Sequence, residues 1–193
     1  MSDNIRFLVA FICDSNQTMK TAKRYPFPAL LRQRLQLYFT DQARLPGCPG
    51  EAQFRRWAWQ AVKSQYRRAE IGLLLLDEET ARAYNRDYRQ KDYATNVLSF
   101  ALDEGERAAL AELSGSLPVL RGDLVICPQV VAREAAEQGK TLEAHFAHLT
   151  LHGVLHLMGH DHIEPDEAEA MEALEIRLMN QLGYPNPYAQ DAD

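Results

Sequence analysis

The chain has 193 residues, 46% of them apolar, with a net charge of −6 and three cysteines. That is enough for one domain with a full core, and no apolar run approaches a membrane-spanning length. The acidity is local: of 27 acids and 21 bases, residues 161–193 hold nine and one, which leaves 18 and 20 to the rest, so the global charge argues neither for nor against a nucleic-acid partner.

Residues 1–30 lack a clear period and read as an extension ahead of the folded domain, with Met19 an alternative start. Phe7 to Cys13 is apolar for only seven residues and has no small-residue cleavage site after it, so it is not read as a signal peptide. From residue 31 to 193 a single domain is expected. Leu35, Leu37 and Phe39 alternate with polar neighbours, as in a strand. After the Pro/Gly loop at 45–50, Glu51 to about Arg67 has the spacing of an amphipathic helix, with Phe54, Trp57, Ala58, Ala61 and Val62 on its apolar side. Its basic side is expected to be a solvated face. Glu70 to Leu76 suits a buried strand, and Asp77 suits the N-cap of a following helix.

Next come a polar loop from Tyr88, a strand from Thr95 to Leu102, and an acidic, small-residue insertion from Asp103 to Ser116. Gly122 to Cys127 reads as a strand stopped by Pro128, and Gln129 to Gln138 as a helix ended by Gly139. Thr141 caps a long helix, with Glu143 placed well for its dipole. Pro165 opens a last helix to about Leu182, closed by Gly183, whose apolar face is expected at Ala168, Met171, Leu174, Ile176 and Leu178. About four strands and five or six helices, irregularly ordered and without an internal repeat, make one α+β domain around a mixed sheet. The odd, unpaired cysteines (Cys13, Cys48, Cys127) point to reduced thiols and a cytoplasmic protein.

The chemistry concentrates in the long helix. All six histidines lie between 145 and 162. His152 and His156 are one helical turn apart and point the same way. Gly159 is placed to turn the chain back and return His162 as a third nitrogen ligand. The spacing H-x3-H-x2-G-x2-H is that of zincin-like metal helices, with one departure: Gly153 stands where metzincin peptidases carry their glutamate base. Three neutral ligands leave an open position for water, the mark of a catalytic rather than a structural zinc site. His148 lies roughly 12 Å along the axis from His156, so one ion with bonds of ~2 Å cannot join them. His148 is therefore a supporting or packing residue, and His145 lies a further turn away.

Taken together, Tyr88-Arg-x-Lys-Asp92, Thr95-Asn-Val-Leu-Ser-Phe100, Gly122-Asp-Leu-Val-Ile-Cys127 and His152-Gly-x-Leu-His-Leu-x-Gly-x-Asp-His162 resemble the YbeY family of bacterial metal-dependent endoribonucleases, from about residue 31 to the end. The resemblance implies a compact sheet with the metal helix beneath it. It also implies one Zn2+ per chain on His152, His156 and His162, a functional arginine at Arg89, and ribosomal RNA and the small ribosomal subunit as partners. The implied activity is single-strand cleavage in 16S ribosomal RNA 3′-end maturation and ribosome quality control. His160 departs from the aromatic residue that relatives often carry and adds a proton carrier. Arg89 has a plainer reading as a surface ion pair with Asp92. A zinc peptidase-like hydrolase and a non-catalytic ribosome-biogenesis binding factor are the alternatives, and a monomer is the favoured state.

Overall fold

Leu35 and Leu37 are buried while Gln36 and Tyr38 between them are half-buried, and this alternation makes β1 (Leu35–Asp41) the first strand of a four-stranded sheet. The computed structural model describes residues 34–102, 119–160 and 164–189. Among them β1 is followed by α1 (Glu51–Val62), β2 (Arg68–Leu75), α2 (Glu78–Arg89), β3 (Val97–Ala101), β4 (Val119–Ile126), α3 (Pro128–Glu137), α4 (Leu142–Leu157) and α5 (Pro165–Leu182). The sheet order is β1-β2-β4-β3, with the first three strands parallel and β3 antiparallel on the edge. This is the expected α+β domain with a mixed sheet.

Strand parity divides the core. Leu73, Leu75, Leu124, Ile126 and Val97 join Phe54, Trp57, Phe146 and Leu151 in the main cluster, so α1 and α4 cover one face. Leu76, Leu98 and Val125 turn the other way, against Tyr84 of α2 and Phe100. Phe100 also meets the ring of Tyr88, 5.1 Å between centroids. The helix of the histidines therefore lies on one side of β3 and α2 on the other. Behind α4, α5 buries Met171, Leu178, Met179 and Leu182.

Local chemistry sets the boundaries. Asp77 accepts from the Thr80 amide at 2.8 Å and Thr141 from the Ala144 amide at 3.3 Å, so both expected caps form. The α1 helix stops at Val62 rather than near Arg67, because the Gln65 and Tyr66 amides both turn back onto the Val62 carbonyl. The buried face of α5 also differs from expectation. It runs through Met171, Glu175 and Leu178, a helical stripe that takes in a carboxylate and leaves Ile176 half-buried. The extension at 1–30, the insertion at 103–116 and His162 lie wholly or largely outside the described residues.

Candidate metal centre

The helix α4 is apolar almost all round, and eleven of its sixteen residues are buried. His152 and His156 occupy its one partly open side. Gly153, between them, faces the sheet: a Cβ there would stand 2.9 Å from Leu124 Cδ2 and 3.2 Å from both Ser99 Oγ and Val97 Cγ2. Ser99 Oγ donates to the Gly153 carbonyl at 3.1 Å, tying the edge strand to the helix between the two histidines. After Leu157 the chain leaves the helix through Gly159 at φ +88°, the left-handed turn the sequence predicts. The His160 amide then closes back onto the Leu155 carbonyl at 3.0 Å.

The two imidazoles converge. His152 Nε2 and His156 Nε2 are 3.1 Å apart. Two zinc–nitrogen bonds of ~2.0–2.1 Å at a tetrahedral angle set their nitrogens roughly 3.3 Å apart, so the pair is spaced to share an ion. The far side of His152 is engaged as well, with Nδ1 2.8 Å from Glu175 Oε1. A carboxylate only accepts, so Nδ1 carries the proton and the Nε2 lone pair faces His156. The donor set therefore fits a borderline-soft divalent ion such as zinc.

Glu175 is the residue sequence reasoning missed. Its side chain is 0% exposed, although a buried carboxylate is costly unless it is paired. The pairing is complete. Oε2 lies 2.8 Å from His148 Nε2 and also accepts from the Tyr188 hydroxyl. Burial alone would raise this carboxyl, but hydrogen bonds from His148, His152 and Tyr188, with the charge of His148, outweigh it and hold the pKa down to about 2. The signal for it was the helical stripe Met171, Glu175, Leu178, which puts an acid on the face turned to the histidine helix.

The other histidines divide the same way. His145 Nε2 lies 2.9 Å from Glu134 Oε2, and both Glu134 oxygens accept from Asn96 Nδ2 at 3.1 Å. Burial lowers the His145 pKa, against the pull of Glu134. A cavity of about 360 Å³ opens beside His152, with Asn96, Lys140, His148 and Tyr188 in its wall.

Arg89 is placed elsewhere. It is exposed and ends α2, the helix whose Tyr84 and Tyr88 lie on the face of β3 opposite the one that meets Gly153. The ion pair expected between Arg89 and Asp92 gives way to another. Asp92 is taken by Arg82, whose Nε and Nη2 reach its two oxygens at 2.8 and 2.7 Å. Both groups of residues border the same stretch of the edge strand: Tyr88 packs on Phe100 from one side, while a Cβ at Gly122 would meet Leu157 and the Phe100 carbonyl.

The chain has many relatives that share one name. The family model for endoribonuclease YbeY matches residues 50–183. Endoribonuclease YbeY of Neisseria gonorrhoeae is 65% identical over 173 residues, covering 90% of this chain and 99% of that protein. The enzymes of the same name from Chromobacterium violaceum and Aromatoleum aromaticum are 49% identical over 173 residues and 57% over 141, the second covering 73% of this chain and 82% of the relative. A solution structure from Thermotoga maritima, TM1509, overlays with a TM-score of 0.49 at 17% identity, covering 82% of this chain and 99% of that one. With the family model matching residues 50–183 and a relative 65% identical across 90% of its length, the chain belongs to the YbeY family of endoribonucleases, hydrolases that act on RNA.

Proposed function

We propose that this endoribonuclease is zinc-dependent, holding one Zn2+ on His152, His156 and His162, and that it cuts single-stranded RNA in 16S ribosomal RNA 3′-end maturation and ribosome quality control. Its partner on this reading is the small ribosomal subunit, in the cytoplasm. The observation that carries the metal assignment is the 3.1 Å approach of the two Nε2 atoms with the His152 proton held on the far side. Bound there, zinc would supply a hydroxide nucleophile at neutral pH, with a water pKa near ~7, and polarise a phosphoryl oxygen.

The chain's own residues do the rest. His152 and His156 present their Nε2 atoms from a helix locked against the sheet. His160, half-buried just past the helix end, adds an imidazole that can carry a proton. Arg89 supplies a planar fork for phosphate oxygens. Because it stands across β3 from the histidines, RNA that meets both runs over the edge strand, and the lysine-bearing cavity beside His152 offers room for a flanking nucleotide. A peptidase is disfavoured on packing: its glutamate belongs at position 153, where even a Cβ is 2.9 Å from Leu124.

The test is cleavage of a single-stranded 16S 3′-end fragment, with its duplex and a peptide pool as controls. His156→Ala should lose zinc and cleavage together. Arg89→Glu should keep zinc and melting temperature while slowing cleavage ~10²–10³-fold, or ~2–4 kcal/mol of transition-state pairing, with lysine recovering only part. Full zinc occupancy in His156→Ala, or peptide turnover without RNA turnover, overturns the reading.

A further inference from the structure

Glu175 comes from the C-terminal helix, 23 residues after His152, yet it is the most completely enclosed charged side chain at the site. Three donors from two further segments meet it: His152 and His148 from α4, and Tyr188 from beyond α5. Hydrophobic residues would fill this space at lower cost, since a buried ion must first be stripped of water. The expense makes sense if the carboxylate acts on what His152 does on its other side.

We infer that Glu175 is a positioning residue for the metal, the carboxylate of a carboxylate–histidine–zinc relay through His152; this rests on the metal reading above. Its Oε1 holds the proton on Nδ1 and so keeps the lone pair on Nε2, where His156 Nε2 stands 3.1 Å away. It stops the ring from turning and makes Nε2 a stronger donor. Its second oxygen is fixed in turn by His148 and the Tyr188 hydroxyl, so neither oxygen is left to rotate. His148, too far from His156 to join the same ion, thereby acquires a role two hydrogen bonds removed from His152. It follows that zinc affinity depends on the docking of the C-terminal segment, through one carboxylate.

The experiment measures zinc dissociation constants of the full chain by competition with a chromophoric chelator, alongside the melting temperature of the metal-free protein. Wild type, Glu175→Gln, Tyr188→Phe and His156→Ala are compared at one pH. Glu175→Gln keeps the shape but turns an amide toward donors, and should weaken zinc binding about 10–100-fold. Tyr188→Phe leaves the carboxylate with its two histidines and should weaken binding only a few-fold, about the effect of one lost buried hydrogen bond. A merely structural Glu175 would lower the metal-free melting temperature and leave the zinc constant alone. Zinc binding by Glu175→Gln within about threefold of wild type overturns the inference whatever its melting temperature, a margin below the 10-fold expected of an outer-shell partner. Should that variant not fold, an unchanged zinc constant in Tyr188→Phe does the same. A wild type that holds no more zinc than His156→Ala overturns the metal reading itself, and this inference with it.

Discussion

Gly153 is the position at which packing and chemistry are most tightly joined, and Gly153→Ala measures how tightly. The new methyl would meet Leu124 Cδ2 at 2.9 Å and Ser99 Oγ and Val97 Cγ2 at 3.2 Å, three contacts from two strands. Leu124 is fully buried in a central strand and has no open space to retreat into. Overpacking of this kind costs ~1–3 kcal/mol, while alanine returns ~1 kcal/mol of helix propensity over glycine. With three contacts the cost falls in the upper part of its range, so the net loss should be ~1–2 kcal/mol. For a chain of this size that lowers the melting temperature by roughly 2–8 °C. Ser99→Ala removes one of the three contacts together with its hydrogen bond to the Gly153 carbonyl, which is worth ~1 kcal/mol. The double variant should therefore lose less than the two single losses summed. Thermal unfolding of the four metal-free proteins decides the matter. A Gly153→Ala protein that melts at or above wild type would mean that helix propensity goes unopposed, and the packing argument against a glutamate at this position would fall.

Asp123 gives a pH test away from the histidines. It is buried at 3% exposure beside Gly72, neither of its oxygens has a geometric hydrogen-bond partner among the described residues, and burial raises its carboxyl above the usual range, against a weaker downward pull from the Gly72 amide. A raised folded-state pKa contributes stability that is complete below the unfolded value of ~3.9 and is lost as pH rises through the folded one. Asp123→Asn should then gain on wild type as pH rises toward neutrality, and a difference in melting temperature that does not change with pH refutes this. At the start of α2, Asp77→Ala removes the cap on the Thr80 amide and should cost ~1 kcal/mol in denaturant unfolding. Asp77→Asn should retain most of that, because the side-chain oxygen remains.

Much of the centre was legible because its signals are local. The i, i+4 spacing of His152 and His156 needs only helix geometry to bring them together, and Gly159 needs only a positive φ to end the helix after them. The caps at Asp77 and Thr141 are of the same kind. What the sequence hid are contacts between elements. Nothing local says that Ser99 reaches the Gly153 carbonyl across 54 residues. Nor does it say that Asp92 pairs with Arg82 rather than Arg89, since both arginines lie within reach of it along the chain. Arg89 is linked to the metal by resemblance alone, and strand parity puts the end of its helix across β3 from Gly153. Val97 touches Gly153, so Leu98 and Phe100 must turn to the other face, where Tyr88 meets Phe100 one residue before Arg89.

Glu175 shows where such reading stops and what carries it further. Scored for hydrophobicity, it interrupts the apolar face of α5, which is why that face was expected to pass through Ala168, Leu174 and Ile176. Scored for position, it sits four residues after Met171 and three before Leu178, in line with both. An acid at such a place leaves two outcomes: either the helix turns it to water, or something opposite supplies donors. The helix opposite is the one with histidines at 148 and 152, one turn apart and facing the same way. A carboxylate in the middle of an apolar stripe, facing a helix with surplus histidines, thus specifies its own partners. On the proposed metal reading, the same reasoning gives His148 its use: unable to share an ion with His156, it holds the carboxylate that orients His152.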